Sequence, residues 1–288
     1  MRAIHDVPAP AKLNLFLHVT GRRSDGYHLL QSVFMLIDWC DELHFDLRAG
    51  RALSREDLSD ALPADDLCLR AARALQAATG CTQGAHISIA KNIPSQAGMG
   101  GGSSDAASTL LALNQLWNLQ LARSELQKLA LPLGADVPFF LQGHDAWVQG
   151  IGEILEPLPA GLLQAGQPFV VIKPQAGLET RLIFSHPELK RDTQAATIAG
   201  FAREQTREPF QFGRNDLQPV AELLCPEITQ ALTWLARQGL GGRMTGSGSA
   251  VFAPAVHAID SARAPAQWHV KVCKNLGLHP LAGWARDE

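Results

Sequence analysis

The sequence predicts a mixed α and β fold, and three observations carry that prediction. Apolar residues alternate at period two near the start, apolar spacing changes to three and four residues from Asp66, and a glycine-rich loop separates a predicted strand from a predicted helix. Period two sends successive side chains to opposite faces of a strand, whereas a spacing of three to four keeps them on one face of a helix.

Residues 7–19 form the first predicted strand. Leu13, Leu15, Leu17 and Val19 share one face, and Lys12, Asn14, Phe16 and His18 share the other, so Lys12 and Asn14 project together. A polar break over 21–28 is followed at 29–47 by one or two strands rich in apolar and aromatic residues. Leu67, Ala71, Leu75 and Ala78 then predict a helix that Gly80 stops. A strand at 85–90 leads through the glycine loop into a helix over 106–117, with Leu110, Leu113 and Trp117 on one face. Another helix is predicted over 123–131, and Gly134, Asp136 and Pro138 mark a turn entering a further one. The density of proline and glycine over 157–169 marks a lobe boundary, dividing the chain into 1–156 and 157–288. Beyond it come a strand at 169–173, helices near 195–205 and 226–238, and a second glycine turn at 245–248 running into a strand.

Composition narrows the function. A chain of 288 residues, 46% apolar, can bury the core of two lobes. A net charge of -3 without a run of Lys or Arg argues against nucleic acid and favours small-molecule partners. The five cysteines are odd in number and scattered without a CxxC pair, which predicts reduced thiols rather than a zinc or redox site. The amino-terminal residues lack the apolar core of a signal peptide, and no apolar stretch reaches the ~18 residues of a membrane span, so the cytoplasm is the expected compartment.

The strongest chemical signal is the run Pro94, Ser95, Gln96, Ala97, Gly98, Met99, Gly100, Gly101, Gly102, Ser103, Ser104 and Asp105. Glycines let the backbone approach a ligand and take positive φ, so successive amides can point at phosphate oxygens, and the following helix N-terminus adds unpaired N–H groups. A Walker loop needs lysine where Ser103 stands, and the βαβ setting and ribose-binding acid of a dinucleotide fingerprint are not evident. The competing reading is a tight turn with Ser103, Ser104 or Asp105 as the helix cap.

That run resembles the ATP phosphate loop of the GHMP kinases. Residues 243–253 (RMTGSGSAVFA) resemble the third motif of that superfamily, and 133–143 (LGADVPFFLQG) resemble the segment with its acidic catalytic residue. Residues 8–34 (PAPAKLNLFLHVTGRRSDGYHLLQSVF) are similar to the opening of the branch whose acceptor is a cytidine-diphosphate-linked methylerythritol, and Asn215–Val220 (NDLQPV) resembles a further landmark. The resemblance spans nearly the whole chain, and Asp25–His28 is its most branch-specific element. It implies a two-lobed α+β architecture, with a mixed-sheet N-terminal lobe, a C-terminal lobe of antiparallel strands with helices, and the active site in the cleft between them.

The same resemblance implies the roles. ATP would lie on the loop from Pro94 to Ser104 and on Lys91, with Mg²⁺ bridging its phosphates and no dedicated protein metal cage; Ser103 or Ser104 could help hold the ion. Asp136 would accept the acceptor's hydroxyl proton, and Lys12 would stabilise the developing alkoxide. Asn14, Thr180, Thr245 and Gly246 would contact the acceptor, Tyr27 and Phe184 would sandwich a cytosine ring, and His28 would read its edge. Taken alone, each residue also has an ordinary structural reading: Asp136 as a helix cap, Lys12 as a solvated face, Lys91 as an exposed strand end, Tyr27 as core.

Two departures from the superfamily pattern stand out: Gln96 and Ala97 replace common glycines, and Asp66 replaces an asparagine near the adenine end. The assembly expected is a monomer or a homodimer, with the sequence not deciding between them. Two other functional readings remain: a GHMP kinase for homoserine, mevalonate or a sugar, and a nucleotide-binding protein without catalysis.

Overall fold

A computed structural model describes residues 2–287. The chain opens with two long antiparallel strands, β1 (Ala3–Arg22) and β2 (His28–Arg48), paired along most of their length. Next come β3 (Leu53–Asp57), helix α1 (Leu67–Thr79), β4 (Gly84–Ala90) and helix α2 (Gly101–Leu116). After α3 (Arg123–Ala130) and α4 (Val137–Gln142), β5 (Ala146–Gln149) and β6 (Ile154–Pro157) complete a six-stranded sheet. That sheet is mixed because β3 and β4 run parallel while the other pairs are antiparallel.

The second half carries β7 (Pro168–Lys173), α5 (Thr180–Ser185), α6 (Ile198–Arg207), α7 (Gln218–Leu224), α8 (Pro226–Arg237), β8 (Arg243–Met244), β9 (Val251–Pro254) and β10 (His269–Lys274). Its four strands form an antiparallel sheet in the order β10-β7-β9-β8. The α+β class and the contrast between the two sheets are as the sequence implies. Three buried clusters fill the molecule: one under α1–α4, one under α5, α7 and α8, and one between the sheets where Phe16, Met35 and Trp147 meet Phe169, Val171 and Phe252. The shared cluster joins the two halves into one body.

The first strand departs from simple alternation. A register shift between Asn14 and Leu17 changes the phase, so Phe16 joins the inter-sheet core of Leu13 and Leu15 while Leu17 turns toward the same cleft as Lys12 and Asn14. The sequence assignment of Phe16 to the face of Lys12, and of Leu17 to the opposite one, is corrected by that bulge.

Helix ends follow local chemistry where a side chain can act. Asp66 caps α1 by accepting from the Leu69 and Cys68 amides, and Gly80 closes it at φ 69°, in the left-handed region. Helix α2 begins five residues before its predicted start of 106, at Gly101, and Gly100 at φ 73° is its N-cap. Ser103, Ser104 and Asp105 therefore lie inside the helix, and none of them caps it. Five short strands and two helices, β3, β5, β6, β8, β10, α5 and α7, escape the sequence reading. Most are too short for a period to declare itself.

The chain passes from one sheet to the other between β6 and β7, yet its C-terminal residues cross back. The Leu276 amide donates to the Leu36 carbonyl at 3.0 Å, and the His279 amide donates to the Gly143 carbonyl at 2.8 Å. Leu281 and Ala285 are buried with α2–α4, so the C-terminal residues pack against the first half of the chain.

Candidate active site

A cleft of about 890 Å³ opens between the two halves, lined by β1, the glycine loop, Asp136, α5 and the 246–248 turn. That volume suits a nucleotide and a small acceptor together.

Lys12 lies on the cleft wall, only 4% exposed. Its backbone amide donates to the Met99 carbonyl at 3.0 Å, which joins β1 to the glycine loop. Its ammonium donates to Asn14 Oδ1, stands 3.7 Å from Asp136 Oδ2, and sits 4.5 Å from the Phe34 ring centroid. Burial pushes the Lys12 pKa down and the neighbouring Asp136 carboxylate pulls it back. This surrounding replaces the solvated-face reading. Asn14 in turn donates from Nδ2 to Ser32 Oγ at 2.9 Å, and its backbone amide donates to Thr245 Oγ1 at 2.9 Å, so the third motif is locked onto β1.

Asp136 occupies the N-cap position of α4 but makes no side-chain capping bond. The carboxylate is released from the cap role and turns into the cleft beside Lys12.

The glycine loop meets the third motif backbone to backbone. Ser249 donates its amide to the Gln96 carbonyl at 3.0 Å, and Ala250 donates to the Ala97 carbonyl at 3.3 Å. Because α2 starts at Gly101 with no side-chain cap, its first amides remain available at the loop. Gln96 adopts φ 50°, a left-handed conformation suited to glycine, and covers Gly177 with its side chain. Ser104 is fully buried with its Oγ unpartnered, and neither Ser103 nor Ser104 lines the cleft. Among the described residues, the cluster of three potential metal ligands is Asp6, Glu42 and His44, outside the cleft.

Lys91 is no exposed strand end. Its ammonium lies between the carboxylates of Asp41 and Asp105 while its side chain still lines the cleft. Asp66 also faces the cleft, but it spends its oxygens on the α1 amides and on Arg55, whose Nη1 is 3.0 Å away.

At the α5 side of the cleft, Thr180 Oγ1 and Ser247 Oγ lie 2.6 Å apart, linking α5 to the third motif. Phe184 lines the cleft and stacks on His28, with centroids 4.9 Å apart and planes 30° apart. His28 Nε2 accepts from Arg191 Nε at 3.1 Å, so Nδ1 carries the proton of the neutral ring; burial, then Arg191 and Arg22, lower its pKa. Tyr27 is 60% exposed at the β1–β2 turn, outside the cleft lining, which excludes the core reading. The structure brings His28 and Phe184 together and leaves Tyr27 apart from them. Sequence reading misses Asp41, Arg191 and Ser32, whose polar partners lie far away in the chain.

Two family profiles match this chain, GHMP kinases N terminal domain over residues 66–144 and GHMP kinases C terminal over 196–274. It is 68% identical over 284 residues to the 4-diphosphocytidyl-2-C-methyl-D-erythritol kinase of Acidovorax sp. (strain JS42), covering 99% of each protein. The chain belongs to the 4-diphosphocytidyl-2-C-methyl-D-erythritol kinase family of GHMP kinases. A crystal structure of 4-(cytidine 5'-diphospho)-2C-methyl-D-erythritol kinase superposes with a TM-score of 0.77 at 34% identity, covering 93% of this chain and 98% of the other. Homoserine kinase from Cytophaga hutchinsonii superposes at 0.71 with 17% identity, covering 96% of each, and shares the fold.

Proposed function

We propose that this enzyme transfers the γ-phosphoryl group of ATP to the tertiary 2-hydroxyl of 4-diphosphocytidyl-2-C-methyl-D-erythritol, giving the 2-phosphate and ADP in the non-mevalonate route to isoprenoid precursors. The observation that carries the reading is Asp136, uncapped and 3.7 Å from the buried Lys12 ammonium, facing a glycine loop at a helix start.

In this reading the amides from Gly98 to Gly102 would hold the phosphates, the Ser104 amide being taken by the Gly100 carbonyl, and Mg²⁺ bound with ATP would supply charge neutralisation. Asp136 takes the hydroxyl proton as the acceptor oxygen bonds to the γ-phosphorus and the bond to the β-phosphate oxygen breaks. Lys12 faces the charge developing on the acceptor oxygen, and Asn14 holds the Lys12 side chain in place. Thr180, Thr245 and Gly246 border the acceptor's polyol, while Phe184, His28 and Tyr27 receive the cytosine. Tyr27, exposed at a turn, closes over the base once it is bound. Five free cysteines and no helix among the described residues long and apolar enough to cross a membrane support a cytoplasmic setting.

The test is ATP-dependent phosphorylation of the cytidylyl compound by purified protein, beside homoserine, mevalonate and galactose, with products identified by mass. Product from the cytidylyl compound alone is expected. Transfer only to another acceptor would remove the cytosine site from the proposal, and ATP binding without transfer would remove catalysis.

A further inference from the structure

Asp41 lies on β2, outside every motif that the sequence displays, and it is fully buried. An acid in that position is costly unless its oxygens are matched by donors. Here all its bonds go to the segment that leads into the glycine loop. Oδ1 accepts from the backbone amides of Asn92 at 2.5 Å and Ile93 at 2.7 Å, and Oδ2 accepts from the Lys91 ammonium. The same Oδ2 packs against Gly101 at the far end of the loop, where an added Cβ would stand 3.4 Å away. Lys91 then reaches across to Asp105 Oδ2 at 2.5 Å, inside α2. The residues just before the loop and the helix just after it are thus fastened to one point on the central sheet.

We propose that Asp41 is a positioning residue for nucleotide binding: through Lys91 it ties the two ends of the phosphate loop together, and Lys91 serves as the tie rather than as a ligand of ATP. Charge balance agrees with this. Burial pushes the Asp105 carboxyl up to about 8 against the pull of Lys91 and with the push of Asp41, so one lysine between two acids leaves no free positive charge to offer a phosphate. Asp105 Oδ1 is buried without a hydrogen-bond partner. The Trp39 indole strengthens the clasp by donating to the Asn92 carbonyl at 2.8 Å.

The inference rests on the kinase reading for its substrate, so ATP affinity is measured by calorimetry as well as through KM. A wild-type protein that binds ATP but transfers nothing would end the kinase reading and leave the clasp open to the same binding test. Asp41→Asn, Lys91→Met and the double variant are compared, with thermal unfolding as the check on folding. Each single change is expected to weaken ATP about tenfold, to leave KM for the acceptor within twofold, and to combine in the double variant with little further loss, since both cut one connection. If Lys91→Met weakens ATP while Asp41→Asn leaves it unchanged or tighter, Lys91 binds the nucleotide directly and the proposal fails. Equal losses for both substrates alongside a lowered Tm would reduce Asp41 to general stability and also end it. Should Asp41→Asn not fold, Asp105→Ala replaces it: weaker ATP binding supports the tie, whereas tighter binding by a freed Lys91 overturns it.

Discussion

Gly98 and Gly246 face each other across the cleft floor, so close that a Cβ on Gly246 would stand 2.6 Å from the Gly98 carbonyl oxygen. Both have positive φ, 71° and 54°, and a Cβ on Gly98 would stand 2.9 Å from the Gly248 amide nitrogen. The glycine loop and the third motif meet here as bare backbone, one from each half of the chain.

Alanine at either glycine must push this backbone contact apart, because neither neighbour is a side chain that can swing away. Gly98→Ala or Gly246→Ala is expected to lower kcat/KM by about a hundredfold and to cost on the order of 1–3 kcal/mol of stability. Steady-state kinetics and denaturant titration check both numbers.

Asp136 and Lys12 act on the transferring group in the proposed mechanism, so their loss should fall on kcat more than on either KM. Asp136→Asn and Lys12→Ala are each expected to lower kcat roughly 10²–10⁴-fold with ATP affinity within a few-fold of normal. Near-normal turnover by a folded Asp136→Asn protein would remove the base assignment.

Burial depresses Lys12, so its positive charge is lost as pH rises at a point below the ordinary lysine value of 10.5. The kcat profile should therefore fall on its basic side before pH 10.5 is reached. In Lys12→Arg, whose charge persists to higher pH, that limb should move upward while the acidic side stays in place. An unmoved basic limb would assign the titration to another group.

Phe184 offers its ring to the cleft beside His28. Phe184→Ala should raise KM for the cytidylyl acceptor about 5- to 150-fold, the equivalent of roughly 1–3 kcal/mol of base stacking, and leave KM for ATP unchanged. Tyr27→Ala should act in the same direction, and no effect from either would move the cytosine elsewhere.

His279, one of the returning C-terminal residues, is buried, and burial first and Arg123 second lower its pKa to about 4. In the unfolded chain it takes a proton near 6.5, while the folded form resists until about 4, so the unfolded state binds more protons between those values. Acidification from 6.5 toward 4 should cost up to about 1.4 kcal/mol per pH unit from this residue. His279→Gln should flatten that part of a stability curve measured by urea unfolding at several pH values.

Local pattern was enough for much of the architecture. The periods of β1, α1 and α8, the Gly80 stop and the place of the glycine loop all depend on near neighbours in the chain, where a turn or a cap is decided within a few residues. The pairing of Lys12 with Asn14 on one strand face is legible for the same reason. Phase beyond Asn14 is not, because a bulge answers to the partner strand and reassigns Phe16 and Leu17. The start of α2 was likewise misplaced, since its cap is a glycine backbone conformation rather than a capping side chain.

By itself, then, the sequence determined the class of fold, the glycine-rich loop, the family resemblance and the polar residue types available to the cleft. Tertiary structure decided which of those residues meet: Asp136 with Lys12, Gly98 with Gly246, Lys91 with Asp41 and Asp105, and the C-terminal residues with the first lobe. The reason is physical. Periodicity and capping are short-range properties of the backbone, whereas a buried charge or a bare backbone contact is tolerable only when a distant segment supplies its partner, and that distance is closed only by folding.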